Sequence, residues 1–344
     1  MEGDITSLPI DAIVSPANQS SSQMHIHRSI AVLFLLVWFT GSALAQASRR
    51  FGDIKCKTVS DTILGHRVLI LPDPFSPKRA LARLFPGKYY DLSQPNFTNQ
   101  FISWRCPRCT SKIYPDVNEM DPLLFPDTGG VATRLLNVFS FTDSSGRAVK
   151  VMSFNHSGYD PDGVQTGRFS GGLLGFATFV HIDSNWRLEM FQPAIAAYGA
   201  YSQAPKPKPL KIGEGQYGFV IDHTNGGAGG PYWQDTYLIA DVDGAFQQIL
   251  AAGGTGRTTG FDGKSSWTST CSVIPGNKQV YRDIVITCKG HFVAPDPEGL
   301  PPELKGKVRD GQQGEFTIRH LYVYSAKDNY QEQLPAKVTV KVKR

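Results

Sequence analysis

Beyond residue 50 the dominant pattern along the chain is alternation of apolar and polar positions, which marks strands that bury one face. It predicts strands at Arg67–Leu71, Leu136–Phe141, Ala148–Phe154, Leu173–Ile182, Trp186–Phe191, Tyr217–Ile221, Thr236–Ala240, Ser266–Val273, Tyr281–Cys288, Glu315–Tyr324 and Lys337–Val342. In the last of these, Val338, Val340 and Val342 alternate with Lys337, Thr339, Lys341 and Lys343, the signature of a final edge strand whose polar face is guarded by lysines. Turn signals separate the strands: Asp143-Ser144-Ser145-Gly146, Asp160-Pro161-Asp162-Gly163, Asp183-Ser184-Asn185, Asp241-Val242-Asp243-Gly244 and Pro275-Gly276-Asn277. Helical spacing is confined to Ser76–Leu84, where Ser76 and Pro77 supply an N-cap and a first helical position. Gly244–Leu250 reads either as a helical turn or as a strand after a turn. Three prolines in Ala204–Pro209 lack amide donors and predict an extended connection unable to hold a ladder, and Ala294–Pro302 predicts a surface loop. The fold class is therefore mostly β, with antiparallel sheets arranged as a sandwich, meander or degenerate propeller and one or two short helices.

The longest apolar run lies elsewhere. Ser29–Phe39 follows Arg28 and precedes Ser42-Ala43-Leu44-Ala45, the layout of a signal peptide with an A-x-A cleavage site after Ala45. The expected organisation is a leading segment 1–23, a signal peptide 24–45, an N-terminal β region 46–203, a proline-rich connection 204–210 and a C-terminal β region 211–344. An uncleaved segment would instead serve as a one-pass anchor, the only membrane contact expected. Either way the address is extracytoplasmic, periplasmic or secreted. Removing residues 1–45 leaves 34 basic against 27 acidic residues. That excess suits an envelope polymer or protein as partner, and it is too mild and too scattered to indicate nucleic acid.

Gly3–Asn18, reading G-D-I-T-S-L-P-I-D-A-I-V-S-P-A-N, resembles the first strand and loop of a macro domain, a family that binds ADP-ribose. The resemblance implies that Asp4 and Ile5 sit at the adenine end and that Asn18 faces the distal ribose. Ser15 replaces the family's first Asn, and the glycine-rich diphosphate loop is missing, its place taken by Gln19-Ser20-Ser21-Ser22 and the signal segment. The fragment is thus sequence upstream of a true start at Met24, a fusion remnant, or an ADP-ribose site. The mature region, with Asn185-Trp186-Arg187-Leu188 and a Gly/Tyr-rich stretch after it, resembles bacterial secreted proteins in a general way.

Five cysteines in an oxidising compartment point to disulfides. Cys271 and Cys288 flank one predicted hairpin and form an expected pair; Cys106-Pro107-Arg108-Cys109 forms a second, or shares a bridge with Cys56, redox or zinc chemistry being the alternatives at this C-x-x-C. No H-E-x-x-H, G-x-S-x-G, S-x-x-K or phosphate-binding loop is present, and the clusters Gly226–Gly230 and Gly253–Gly256 read as flexible loops. Acid/base candidates are His181 with Asp183, and Asp222 with His223, the site of an alternative reading as an exported hydrolase. Asp160 with Asp162 and Asp241 with Asp243 open D-x-D-G loops able to offer carboxylates to calcium; no other cofactor and no other metal is expected. Tyr232, Trp233 and Tyr237 form a candidate aromatic platform for a sugar or peptide. The leading expectation is a non-catalytic binding or structural protein of the cell envelope.

Overall fold

The computed structural model describes residues 54–343 except 94, 97, 119–120, 159–167, 228 and 276–280. The macro-like fragment with Asp4, Ile5 and Asn18, the signal segment, and the Asp160/Asp162 loop lie outside the described residues. The first sheet contains β1 (Lys57–Thr58), β2 (Ile70–Pro72), β3 (Lys88–Asp91), β4 (Gln100–Arg105), β7 (Val131–Thr142), β8 (Ala148–Gly158), β9 (Gly172–Ile182) and β10 (Asn185–Tyr198). Its order is β1-β4-β7-β8-β9-β10-β2, with β3 on β4, and every pairing is antiparallel except β1 with β4. A small hairpin, β5 (Lys112–Tyr114) and β6 (Leu123–Phe125), stands apart. The second sheet runs in strict sequence order: β11 (Lys208–Lys211), β12 (Tyr217–Gly226), β13 (Tyr232–Val242), β14 (Ala245–Arg257), β15 (Ser266–Val273), β16 (Ile284–Val293), β17 (Gln313–Ser325) and β18 (Asn329–Val342). This antiparallel meander curls so that β14 comes against β18.

The two-residue period explains how one strand serves two cores. In β8 and β9, Met152, Phe154, Leu173, Ala177 and Phe179 pack beneath helix α1 (Pro77–Leu84), together with Ala80, Leu81, Leu84 and Phe85. Their neighbours Val151, Leu174 and Phe176 face the other way, against Phe219, Ile221, Ile239 and Phe246 of the second sheet. There the alternation repeats: Val220, Leu238 and Ala240 face a third core inside the curl, with Trp267, Ile286, Cys288, Phe316 and Ile318. Covered on both faces, β8 and β9 read as near-continuous buried runs, whereas β15–β18 keep one face in water.

Local chemistry sets the ends of the elements. Ser76 caps α1 by accepting from the Arg79 amide, as its sequence signature predicts. The β9–β10 and β13–β14 hairpins turn on Asp183-Ser184 (φ 48° and 61°) and Asp243-Gly244 (φ 52° and 80°), the left-handed pairs that a two-residue turn requires. Residues Ala245–Leu250 are strand, which resolves the helix-or-strand ambiguity. Two expectations are corrected. Pro209 does join a ladder, opposite Phe219, because β11 is an edge strand and the missing donor falls on its open side. Gly253–Gly256 is not a loop but a bulge within β14: the pairing jumps from Gln234/Gly256 to Thr236/Ala252, Gly254 adopts φ 64°, and its amide donates to Asp235.

Candidate functional site

Register builds a concave feature on the second sheet. Three cross-strand rows lie side by side on the solvated face of the second sheet: Ser266, His291, Glu315 and Lys341; Thr268, Lys289, Thr317 and Thr339; Thr270, Thr287, Arg319 and Lys337. Each row exists because the alternate residues Trp267, Cys288, Phe316, Ile318, Val338 and Val340 turn into the core. The first two rows line a groove of about 650 Å³, closed at one end by Arg257, Thr258 and Thr259. Lys289, Arg319, Lys337, Lys341 and Lys343 are exposed on this face, and among the described residues none has a carboxylate within ion-pair distance. His291 is fixed at the groove edge: Lys264 O accepts from Nε2 at 2.9 Å, which leaves Nδ1 to accept from the Ser266 hydroxyl at 3.3 Å.

Beneath the groove end is a buried ion pair. The Arg257 guanidinium lies 5.3 Å from the Trp233 ring and 4.8 Å from Trp267, and Nη2 donates to Asp296 Oδ2 at 2.8 Å. Nη1 and Nη2 also donate to Gly299 O and Ser265 O. Burial pushes the Asp296 carboxyl up, but bonds from Ser265, the Glu298 amide, Arg257 and the Lys264 amide outweigh it and hold the group below the usual range. The Ala294–Pro302 loop is therefore pinned through Asp296 rather than lying free on the surface.

The residues proposed from sequence are dispersed. Neighbours on a strand point to opposite faces, so Asp222 and His223 separate: Asp222 pairs with Lys208 at 2.7 Å, while His223 is buried and its Nδ1 accepts from the Gly199 amide at 2.8 Å. That bond commits His223 to the Nε2-protonated form, and burial lowers its pKa despite Asp235 and Asp116. His181 sits 3.8 Å from Asp73, which also accepts from Trp186 Nε1, and Asp183 serves the hairpin turn. His181, Asp222 and His223 thus each face a separate partner. The aromatic platform is divided as well: Tyr232 and Trp233 are 39% and 40% exposed, but Trp233 edges onto Trp267, and Tyr237 packs on Tyr198. Asp241 accepts from the Gly244 amide to close its turn, and among the described residues no group of three or more His, Cys, Asp or Glu is placed to hold a metal.

Cys106 and Cys109 are disulfide-bonded. Cys271 and Cys288 are not: Cys271 stands opposite Ile286 and Cys288 opposite Ser269, a two-residue offset that separates the thiols diagonally. Burial pushes both thiols up to about 12, so they stay protonated. Cys56 is also free and accepts from the Ser103 hydroxyl.

One arrangement carries no local sequence signal. His320 Nδ1 and Glu332 Oε1 lie 2.7 Å apart at a crevice of about 420 Å³ inside the curl, shared with Glu303 and Tyr322. The pair is assembled by the β17–β18 hairpin, where three residues, Leu334–Ala336, stand opposite the single residue His320. Comparison of the chain with known protein families, with curated protein sequences and with solved structures finds no match.

Proposed function

We propose that the protein is an exported, non-catalytic binding protein of the cell envelope, and that the solvated face of β15–β18 is its binding surface for an extended anionic polymer. The observation that carries this reading is five exposed Lys and Arg side chains without carboxylate partners on one strand face, two of which, Lys289 and Lys341, line a groove of about 650 Å³ with Glu315 and Thr and Ser hydroxyls. Cations left unpaired on one face attract polyanions, and hydroxyl rows offer hydrogen bonds to sugar and acid oxygens alike. The Cys106–Cys109 disulfide supports an oxidising compartment. Binding of polygalacturonate to the full-length chain tests the reading. Affinity should fall with salt and drop about tenfold, or about 1.4 kcal/mol, in the triple variant Lys289→Gln, Lys337→Gln, Lys341→Gln. Uncharged dextran binding as tightly as polygalacturonate would sink it.

A second reading, an exported hydrolase, is favoured by His320 and Glu332: a carboxylate on Nδ1 orients the imidazole and leaves Nε2 as a base toward the crevice. It predicts ester or glycoside hydrolysis that disappears in His320→Gln, and it fails if the wild-type chain and the variant release product equally.

A further inference from the structure

A second crevice, of about 400 Å³, lies where residues 64–67, the hairpin strand β5 and the Leu188–Pro193 stretch of β10 meet. Its lining is mixed: Leu64, Tyr114, Leu188, Met190 and Phe191 contribute the apolar part, and polar side chains the rest. Its charges are cationic: His66, Arg67 and Lys112 line it, and Glu189, the one carboxylate among the lining residues, is engaged by Arg147 at 3.3 Å. Arg67 is held in place from two sides. Its Nη2 donates to Leu84 O at the C-terminal end of α1, and the guanidinium lies 5.5 Å from the Phe191 ring. The rest of the group is unused. Among the described residues no carboxylate pairs with it, Nε is buried without a partner, and Nη1 makes no protein hydrogen bond. A half-buried guanidinium with Nη1 unclaimed, beside Lys112 and His66 in a crevice that also presents apolar side chains, is complementary to an anion carrying an apolar tail.

We propose that this crevice binds a small amphiphilic carboxylate, its head on Arg67 and Lys112 and its apolar body against Leu188, Met190 and Phe191. The site is independent of the strand face of the second sheet, so either assignment survives failure of the other. Isothermal titration calorimetry of the full-length chain with sodium octanoate, acetate and octylamine tests it. Octanoate should bind, with acetate and octylamine each at least about tenfold weaker, because one lacks the tail and the other reverses the charge. Arg67→Gln should weaken octanoate about tenfold or more and Lys112→Gln about threefold, consistent with losing a charge-assisted contact from a half-buried cation and one from an exposed cation. Lys112 is exposed on β5, so its variant is expected to fold even if Arg67→Gln loosens the end of α1. Absence of octanoate binding, equal binding of octanoate and octylamine, or wild-type affinity in the Lys112→Gln protein would each overturn the assignment.

Discussion

The strands of the first sheet and those of β15–β18 are built on the same two-residue period, yet they dispose of polar groups in opposite ways. In the centre of the first sheet one set of polar side chains is buried and paired. Trp104 Nε1 donates to Thr133 Oγ1 at 2.8 Å, the Thr133 hydroxyl lies 2.7 Å from His156 Nδ1, and His156 Nε2 lies 2.9 Å from Pro193 O. Since a carbonyl only accepts, His156 carries its proton on Nε2, and the chain Trp104→Thr133→His156→Pro193 runs in one direction with every member paired. On the solvated face of β16–β18 the polar residues instead face water, and Lys289, Arg319, Lys337 and Lys341 are left without carboxylate partners. The difference teaches that coverage, not strand chemistry, decides which polar residues serve structure and which remain available for a ligand.

The shared core offers the largest effect with which to break the comparison. Phe219 packs with ring centroids 5.0 Å from both Phe139 and Phe176, so it joins the sheets directly. Phe219→Ala should cost about 3–5 kcal/mol in a single cooperative transition; two separated transitions in calorimetry would show that the sheets are independent. Comparable in size is Arg257→Met, which strands Asp296 in the interior and should destabilise by about 3–5 kcal/mol. Stability of the Arg257→Met, Asp296→Leu double variant nearer to wild type than to the single variant would assign that loss to the unpaired carboxylate.

A pH series sharpens the contrast. Burial holds His156 down to about 3, against 6.5 for the free side chain, with the bond to Pro193 O opposing the shift. The unfolded chain therefore binds the extra proton, and the relay's contribution is complete above about pH 6.5 and lost as pH falls toward 3, by about 5 kcal/mol at most. Urea unfolding between pH 7 and 4 should show a steeper decline in the wild type than in His156→Gln; parallel curves would refute the neutral relay. Smaller still, Ser76→Ala should cost about 1 kcal/mol by removing the cap of α1. At the bottom of the scale, Lys337→Gln on the solvated face should stay within about 0.5 kcal/mol of wild type in thermal unfolding, even as polyanion binding weakens.

Much of the architecture was legible in advance because alternation is a local property. Ser266–Val273 coincides with β15, and the edge position of Lys337–Val342 follows from its valine and lysine alternation. Strands of two to four residues, such as β1, β3, β5 and β6, carry too short a period to register. β4 was hidden for another reason: Phe101, Ile102, Ser103 and Trp104 are all buried, so no polar face marks it.

The sequence by itself determined the β class, the capped helix, the left-handed hairpin turns and the closeness of Cys106 to Cys109, because each depends on residues within a few positions of one another. Only the tertiary structure decided that Cys271 and Cys288 miss each other by two residues, that His223 is spent on the Gly199 amide, and that His320 meets Glu332. It also decided that Arg67 ends up beside Phe191, with part of its guanidinium unclaimed. Register, bulges and coverage fix those outcomes. They arise from pairings between distant segments, whose energies are summed over whole sheets and are not encoded in any one stretch of residues.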